Sequence, residues 1–163
     1  MTLRHGMGVL VWSPLAGGYL SGKYRRGQAV PAESRAARST AYGQMSPVVQ
    51  RFDMSRPANQ RKLEAVEELE RVADKAGISL THMAIAFALT HPAVTSAIIG
   101  PRTMEQLDDL LAGADVRLDG ETLDAIDAIV PPGVTFEEAD TGWAPPWMAP
   151  QARRRRTEPR RTL

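Results

Sequence analysis

The sequence contains no cysteine, which excludes disulfides and thiolate metal sites and suits a reducing compartment. It also lacks any apolar run approaching the roughly 20 residues that span a bilayer. The start, Met1 to Gly6, carries a basic residue, but only the run Val9 to Trp12 follows, too short for the apolar region of a signal peptide. A cytoplasmic protein is therefore expected. A charge excess of one sign is lacking too: the 163 residues sum to +1. That near-neutrality hides an asymmetry, because Arg153 to Leu163 hold six arginines and one acid, leaving the remainder mildly acidic. A hydrophobic fraction of 43% and a charged fraction of 24% are ordinary for one globular domain with a sizeable core.

Val9-Leu10-Val11-Trp12, bounded by Gly8 and Ser13-Pro14, reads as a strand buried on both faces, as in parallel sheets. A glycine-rich turn follows over Leu15 to Tyr24. From about residue 25 to 56 no period holds, which predicts a long surface loop with a short helical piece near Pro47 to Arg51; loops of that length are usually functional or disordered. Leu63, Val66, Leu69, Val72 and Ala73 then recur at spacings of three and four, an amphipathic helix opened by Ser55 or Pro57 and closed by Gly77. Ser79 caps a second helix that Pro92 ends. Val94 to Ile99 reads as the second strand. Thr103 stands at the N-cap of a third helix, and Asp119 caps a last one, which stops at Pro131-Pro132-Gly133.

Strands alternating with helices predict a parallel α/β architecture. Two strands alone leave faces and edges open, so the pattern looks cut from something larger, and the isolated chain is expected to be poorly stable and to self-associate through exposed edges.

Two segments resemble the aldo-keto reductase family: Trp12-Ser13-Pro14-Leu15-Ala16-Gly17-Gly18 with Leu20-Ser21-Gly22-Lys23-Tyr24, and Ile98-Ile99-Gly100-Pro101-Arg102-Thr103-Met104-Glu105-Gln106-Leu107. With the helical hairpin between them and the closing helix, the likeness covers roughly residues 6 to 133. The resemblance implies a partial (β/α)8 TIM-type barrel over residues 1–133, C-terminal β/α units only, its strands being the seventh and eighth. Complete barrels of this kind typically need about 250 residues. Residues 134–163 are then an irregular tail rich in Pro, Trp and Arg.

The resemblance further implies cofactor contacts at Ser13, Pro14, Leu15, Ala16, Gly17, Lys23, Gly100, Arg102, Gln106 and Asp109. Elementary chemistry agrees in part. Small residues at 13–18 let backbone N–H groups approach a pyrophosphate, and Lys23 adds a point charge. At Gly100 to Gln106 a helix N-terminus faces an anion, where Arg102 can grip a 2′-phosphate bidentately, favouring NADP over NAD. Gln106 and Asp109 share a helix face and would approach the adenosine; the family often has Asn where this chain has Leu110. The family's catalytic Asp, Tyr, Lys and His lie upstream of its seventh strand, and Lys23 and Tyr24 do not match them, so no catalytic residue is assigned.

Plainer readings stand beside these. Taken alone, Ser13 to Gly18 is also an ordinary strand-to-loop turn, Arg102 a solvated helix-start arginine and Asp109 an exposed helical acid. His82 and His91 read as structural. Ser21 has no nucleophile pattern around it, and the aspartates read as helix caps and solvated faces, with no metal site. Arg153 to Arg156 with Arg160 and Arg161 could bind nucleic acid, but a solvated tail is favoured because no aromatics interleave; Trp143 and Trp147 are expected to pack the tail onto the body. By resemblance the function is NADP-dependent reduction of aldehydes or ketones to alcohols, with a nicotinamide dinucleotide and a small carbonyl compound as partners. The alternative is a catalytically inactive barrel fragment that at most binds a nucleotide or a partner chain.

Overall fold

The computed structural model describes residues 2–43, 46–137 and 140. A one-turn helix α1 (Thr2–His5) precedes strand β1 (Leu10–Trp12). A kinked 3-10 segment, Ala16–Ser21, follows. The stretch expected to be an irregular loop contains helix α2 (Arg35–Ser39), a 3-10 turn at Thr40–Tyr42 and helix α3 (Pro47–Gln50). Then come α4 (Pro57–Lys75), α5 (Leu80–Thr90), strand β2 (Ser96–Ile98), α6 (Met104–Asp115) and α7 (Gly120–Ile129). Among the described residues these two are the only strands, and the chain is mostly helical.

Local chemistry accounts for the helix ends. Pro57 occupies the first helical position of α4, where its missing N–H costs nothing; Ser55 instead bonds Asp53. At the other end Gly77 takes φ 71°. Ile78 N donates to Ala73 O at 3.0 Å and Gly77 N to Asp74 O at 3.0 Å, the paired bonds of a Schellman motif. Ser79, Thr103 and Asp119 each accept a backbone N–H three residues on, from His82 (3.0 Å), Gln106 (3.2 Å) and Thr122 (2.8 Å), as N-caps do.

The strands pair in parallel, Leu10 opposite Ser96, Val11 opposite Ala97 and Trp12 opposite Ile98. Alternation places Leu10, Trp12, Ser96 and Ile98 on one face. That face is open: Leu10 is 63% exposed and Trp12 68%. The expectation of a strand buried on both faces is therefore wrong for β1. Its apolar residues suit a covered sheet, but nothing among the described residues covers this side.

The core lies among α4, α5, α7 and the segment after β1, with Leu63, Val66, Leu69, Met83 and Ile126 buried beside Tyr19 and Tyr24. The 25–56 stretch joins it. Tyr24, Ser34, Ala36 and Ser39 are buried, and Phe52 stacks on Tyr19 with ring centroids 5.9 Å apart. This loop is thus fixed to the body through side chains. Trp143, Trp147 and the arginines from Arg153 onward lie outside the described residues.

Candidate functional site

The turn after β1 is built from left-handed backbone. Ser13 (φ 54°) and Ala16 (φ 49°) adopt it without being glycine, at a cost of roughly 1–3 kcal/mol each, a strain found most often at ligand sites and switches. Ala16 N donates to Ser13 O and Gly18 N to Leu15 O, both at 2.8 Å. Gly17 and Gly18 continue at φ 70° and 106°. A Cβ at Gly17 would lie 2.8 Å from the Phe52 ring, and one at Gly18 would strike the Lys23 side chain. Glycine at 17 is thus required by packing against Phe52 as well as by its backbone.

Two tyrosines lock this turn in place. Tyr24 Oη donates to Gly17 O at 3.2 Å and accepts from Ala36 N at 3.3 Å. Tyr19 Oη donates to Arg51 O at 2.8 Å, and burial, reinforced by Asp140, pushes its phenol well above the ordinary range. Both hydroxyls are engaged in holding the fold, a poor arrangement for proton transfer to a ligand.

Cations from three segments converge beside the turn. Burial first, and then the charges of Arg102, Arg35 and Arg38, push the Lys23 ammonium below the ordinary lysine range. Lys23 follows the turn, Arg35 and Arg38 belong to α2, and Arg102 sits between β2 and α6. The Arg35 side chain reaches the turn itself, its Cδ 3.8 Å from where a Cβ of Gly17 would stand. Arg102 is about half exposed, with the Glu33 carboxylate 3.9 Å from its Nη1. Parallel pairing of β1 with β2 is what brings Lys23 and Arg102 together.

The other predicted residues fall less evenly. Ser13, Pro14, Leu15, Ala16 and Gly17 form the turn, and Gly100 leads into Arg102. Gln106 Oε1 accepts from Arg102 N at 2.9 Å, while its own N–H donates to Thr103 Oγ; its side chain braces the start of α6. Asp109 lies apart from the cations: its carboxylate meets His82 Nε2 at 2.8 Å, joining α6 to α5. This also gives His82 the partner that sequence reading did not find. Arg35 and Arg38 were missed as site residues. Ser34 caps their helix (its Oγ accepts from Ala37 N at 3.1 Å) and a spacing of three puts both arginines on one face, but the helix is too short for its period to show in the sequence.

A largely apolar groove of about 620 Å³, sharing Ser13, Pro14 and Ala16 with the turn, runs from Trp12 to Met83 and Phe87 of α5. It does not include Lys23, Arg35 or Arg102. Three of its charged lining groups meet: Lys62 Nζ lies 2.5 Å from Asp140 and Arg51 Nε 3.2 Å from the same carboxylate.

Residues 1–131 match the model of the Aldo/keto reductase family. An uncharacterized oxidoreductase of Bacillus subtilis is 35% identical over 135 residues, covering 82% of this chain and 36% of that protein. A probable voltage-gated potassium channel subunit beta of Arabidopsis thaliana is 34% identical over 129 residues, covering 78% of this chain and 36% of the relative. Among solved structures, a glycerol dehydrogenase of Gluconobacter oxydans superposes with a TM-score of 0.59 at 24% identity, covering 82% of this chain and 38% of that one; this likeness concerns the fold. The chain thus spans little more than a third of the length of the relatives it matches.

Proposed function

We propose, since the chain belongs to the aldo/keto reductase family, that it forms the C-terminal, phosphate-holding part of a β/α-barrel oxidoreductase that reduces aldehydes or ketones with NADPH. One observation carries this reading: the side chains of Lys23 and Arg35 lie against Gly18 and Gly17 of a strained turn, with the charges of Arg38 and Arg102 near enough to act on Lys23. Like charges concentrated at one place raise each other's cost, and an anion relieves it. The residues present fit a polyphosphorylated nucleotide. Lys23 with Arg35 would hold a pyrophosphate against the Ser13–Gly17 turn, and Arg102 would take the 2′-phosphate with two parallel N–H donors. The dinucleotide, when bound, supplies the hydride. This chain's residues bind and orient it; neither tyrosine of the turn is free to protonate a carbonyl oxygen.

The open face of Leu10, Trp12 and Ile98 favours a second reading. On that reading the chain by itself is a catalytically inactive barrel fragment that binds a nucleotide or a partner chain supplying the remaining strands.

Titration of the purified chain with NADPH and NADH, followed by nucleotide fluorescence and circular dichroism together, tests the first reading. Saturable binding that favours NADPH, with the preference erased in Arg102→Ala, is the expected result. A folded chain that binds neither nucleotide would overturn it.

A further inference from the structure

One acid intrudes on the cationic cluster. The Glu33 carboxylate stands 3.9 Å from Arg102 Nη1, although it lies on a different segment of the chain and is 88% exposed. Its backbone is held in place. Ser34 N donates to Pro31 O at 2.9 Å, closing a tight turn with Ala32 and Glu33 at its centre. Buried Ser34 and Ala36 anchor that turn to the body. The backbone position of Glu33 is therefore set by the fold, while its side chain reaches Arg102 through water-exposed surface.

An exposed ion pair at this distance is weak and easily displaced. Its importance lies in what it opposes. A 2′-phosphate arriving at Arg102 must push the carboxylate aside and then sit near a like charge. A ribose 2′-hydroxyl meets no such repulsion and can donate a hydrogen bond to that carboxylate. We infer that Glu33 is a specificity-determining residue, which pairs with Arg102 and moderates its preference for a 2′-phosphorylated nucleotide over an unphosphorylated one. The inference rests on the nucleotide reading above and deepens it: the site is tuned to accept both NADPH and NADH, with Arg102 and Glu33 pulling in opposite directions.

The full 163-residue chain and its Glu33→Gln and Glu33→Lys variants should be titrated with NADPH and NADH at low and high salt. 2′,5′-ADP and 5′-AMP serve as competitors that differ by the 2′-phosphate. Glu33→Gln should raise the NADPH-to-NADH affinity ratio about 3- to 10-fold at low salt, and Glu33→Lys should raise it further. The gain should shrink at about 0.5 M salt, and 2′,5′-ADP should show it while 5′-AMP does not. Unchanged circular dichroism would show that the variants fold. An unchanged ratio in both variants, with Arg102→Ala still erasing the preference, overturns the role of Glu33 alone. A wild-type chain that binds neither nucleotide overturns this inference together with the reading it rests on.

Discussion

Gly113 lies directly against His82: a Cβ built on Gly113 would be 3.2 Å from His82 Cα and 3.2 Å from Ile85 Cβ. The lack of a side chain at one point of α6 is what lets α5 come this close. On the next turn back, the His82 ring meets Asp109, so one residue of α5 receives both the packing and the polar contact. Gly113→Val should therefore separate the two helices. A loss of about 1–3 kcal/mol is expected from overpacking, read as a lower denaturant midpoint with an unchanged slope. If the variant is as stable as wild type, the close approach is not rigid.

Acid should loosen the contact between the 25–56 stretch and α4. The two-pronged hydrogen bond from Arg25 to Glu70, whose second prong is 2.6 Å, holds the Glu70 carboxyl below the usual carboxylate range. Hydrogen bonding to Thr122 does the same for Asp119. A depressed folded-state value gives stability that is present above the unfolded value, near pH 4, and lost as pH falls through the folded one. Thermal midpoints should stay level between about pH 7 and 5 and drop below about pH 4. Glu70→Gln should make the drop shallower.

Asp140 is the counter-charge of a nearly buried lysine. Lys62 is 8% exposed. Its Nζ lies 3.0 Å from Asn59 Oδ1 and 4.5 Å from the Tyr19 ring centroid, and Asp140 supplies the anion. Asp140→Ala removes that carboxylate from the ammonium, at an expected cost of about 1–3 kcal/mol. In Asp140→Ala/Lys62→Met the charge is gone, so part of the stability should return. A double-mutant cycle by chemical denaturation checks this; strict additivity would mean that the two residues do not interact.

The open sheet face predicts association. Leu10→Ser combined with Trp12→Ser removes two large apolar groups that are already mostly exposed. The unfolding midpoint of dilute protein should change little, while sedimentation at high concentration should show less self-association. Oligomers that persist in the double variant would place the contact elsewhere.

Much of this was legible in the residues. Helices α4 to α7 announced themselves because each is long enough to show a period and begins or ends on a residue with one strong local role: Pro57, Ser79, Thr103 and Asp119 at the starts, Gly77 at a stop. The parallel pairing followed from the alternation of strands with helices. Helix α2 escaped because five residues are too few to display a period, and with it went Arg35 and Arg38. The destination of Asp109 was hidden for a different reason. A helix face says where a side chain begins, and only the neighbouring helix decides which partner it finds; here His82 was nearer to hand. The exposure of Leu10 and Trp12 could not be read from their own composition, since it depends on what else is available to cover them.

Val9 N donates to Thr95 Oγ1 across a separation of 86 residues, and the strand pairing beside it spans the same interval. A bond of that kind closes a very long loop, at a larger entropic cost than the local contacts of the helical hairpin. Lys23 and Arg102 flank that closure, one after each strand. Their meeting is therefore a report on whether the two strands have been brought together. A population with full helical signal but an unclosed loop would have every cation and no cluster, and an anion that binds the cluster would pull the chain shut, acting as a stitch between its two halves.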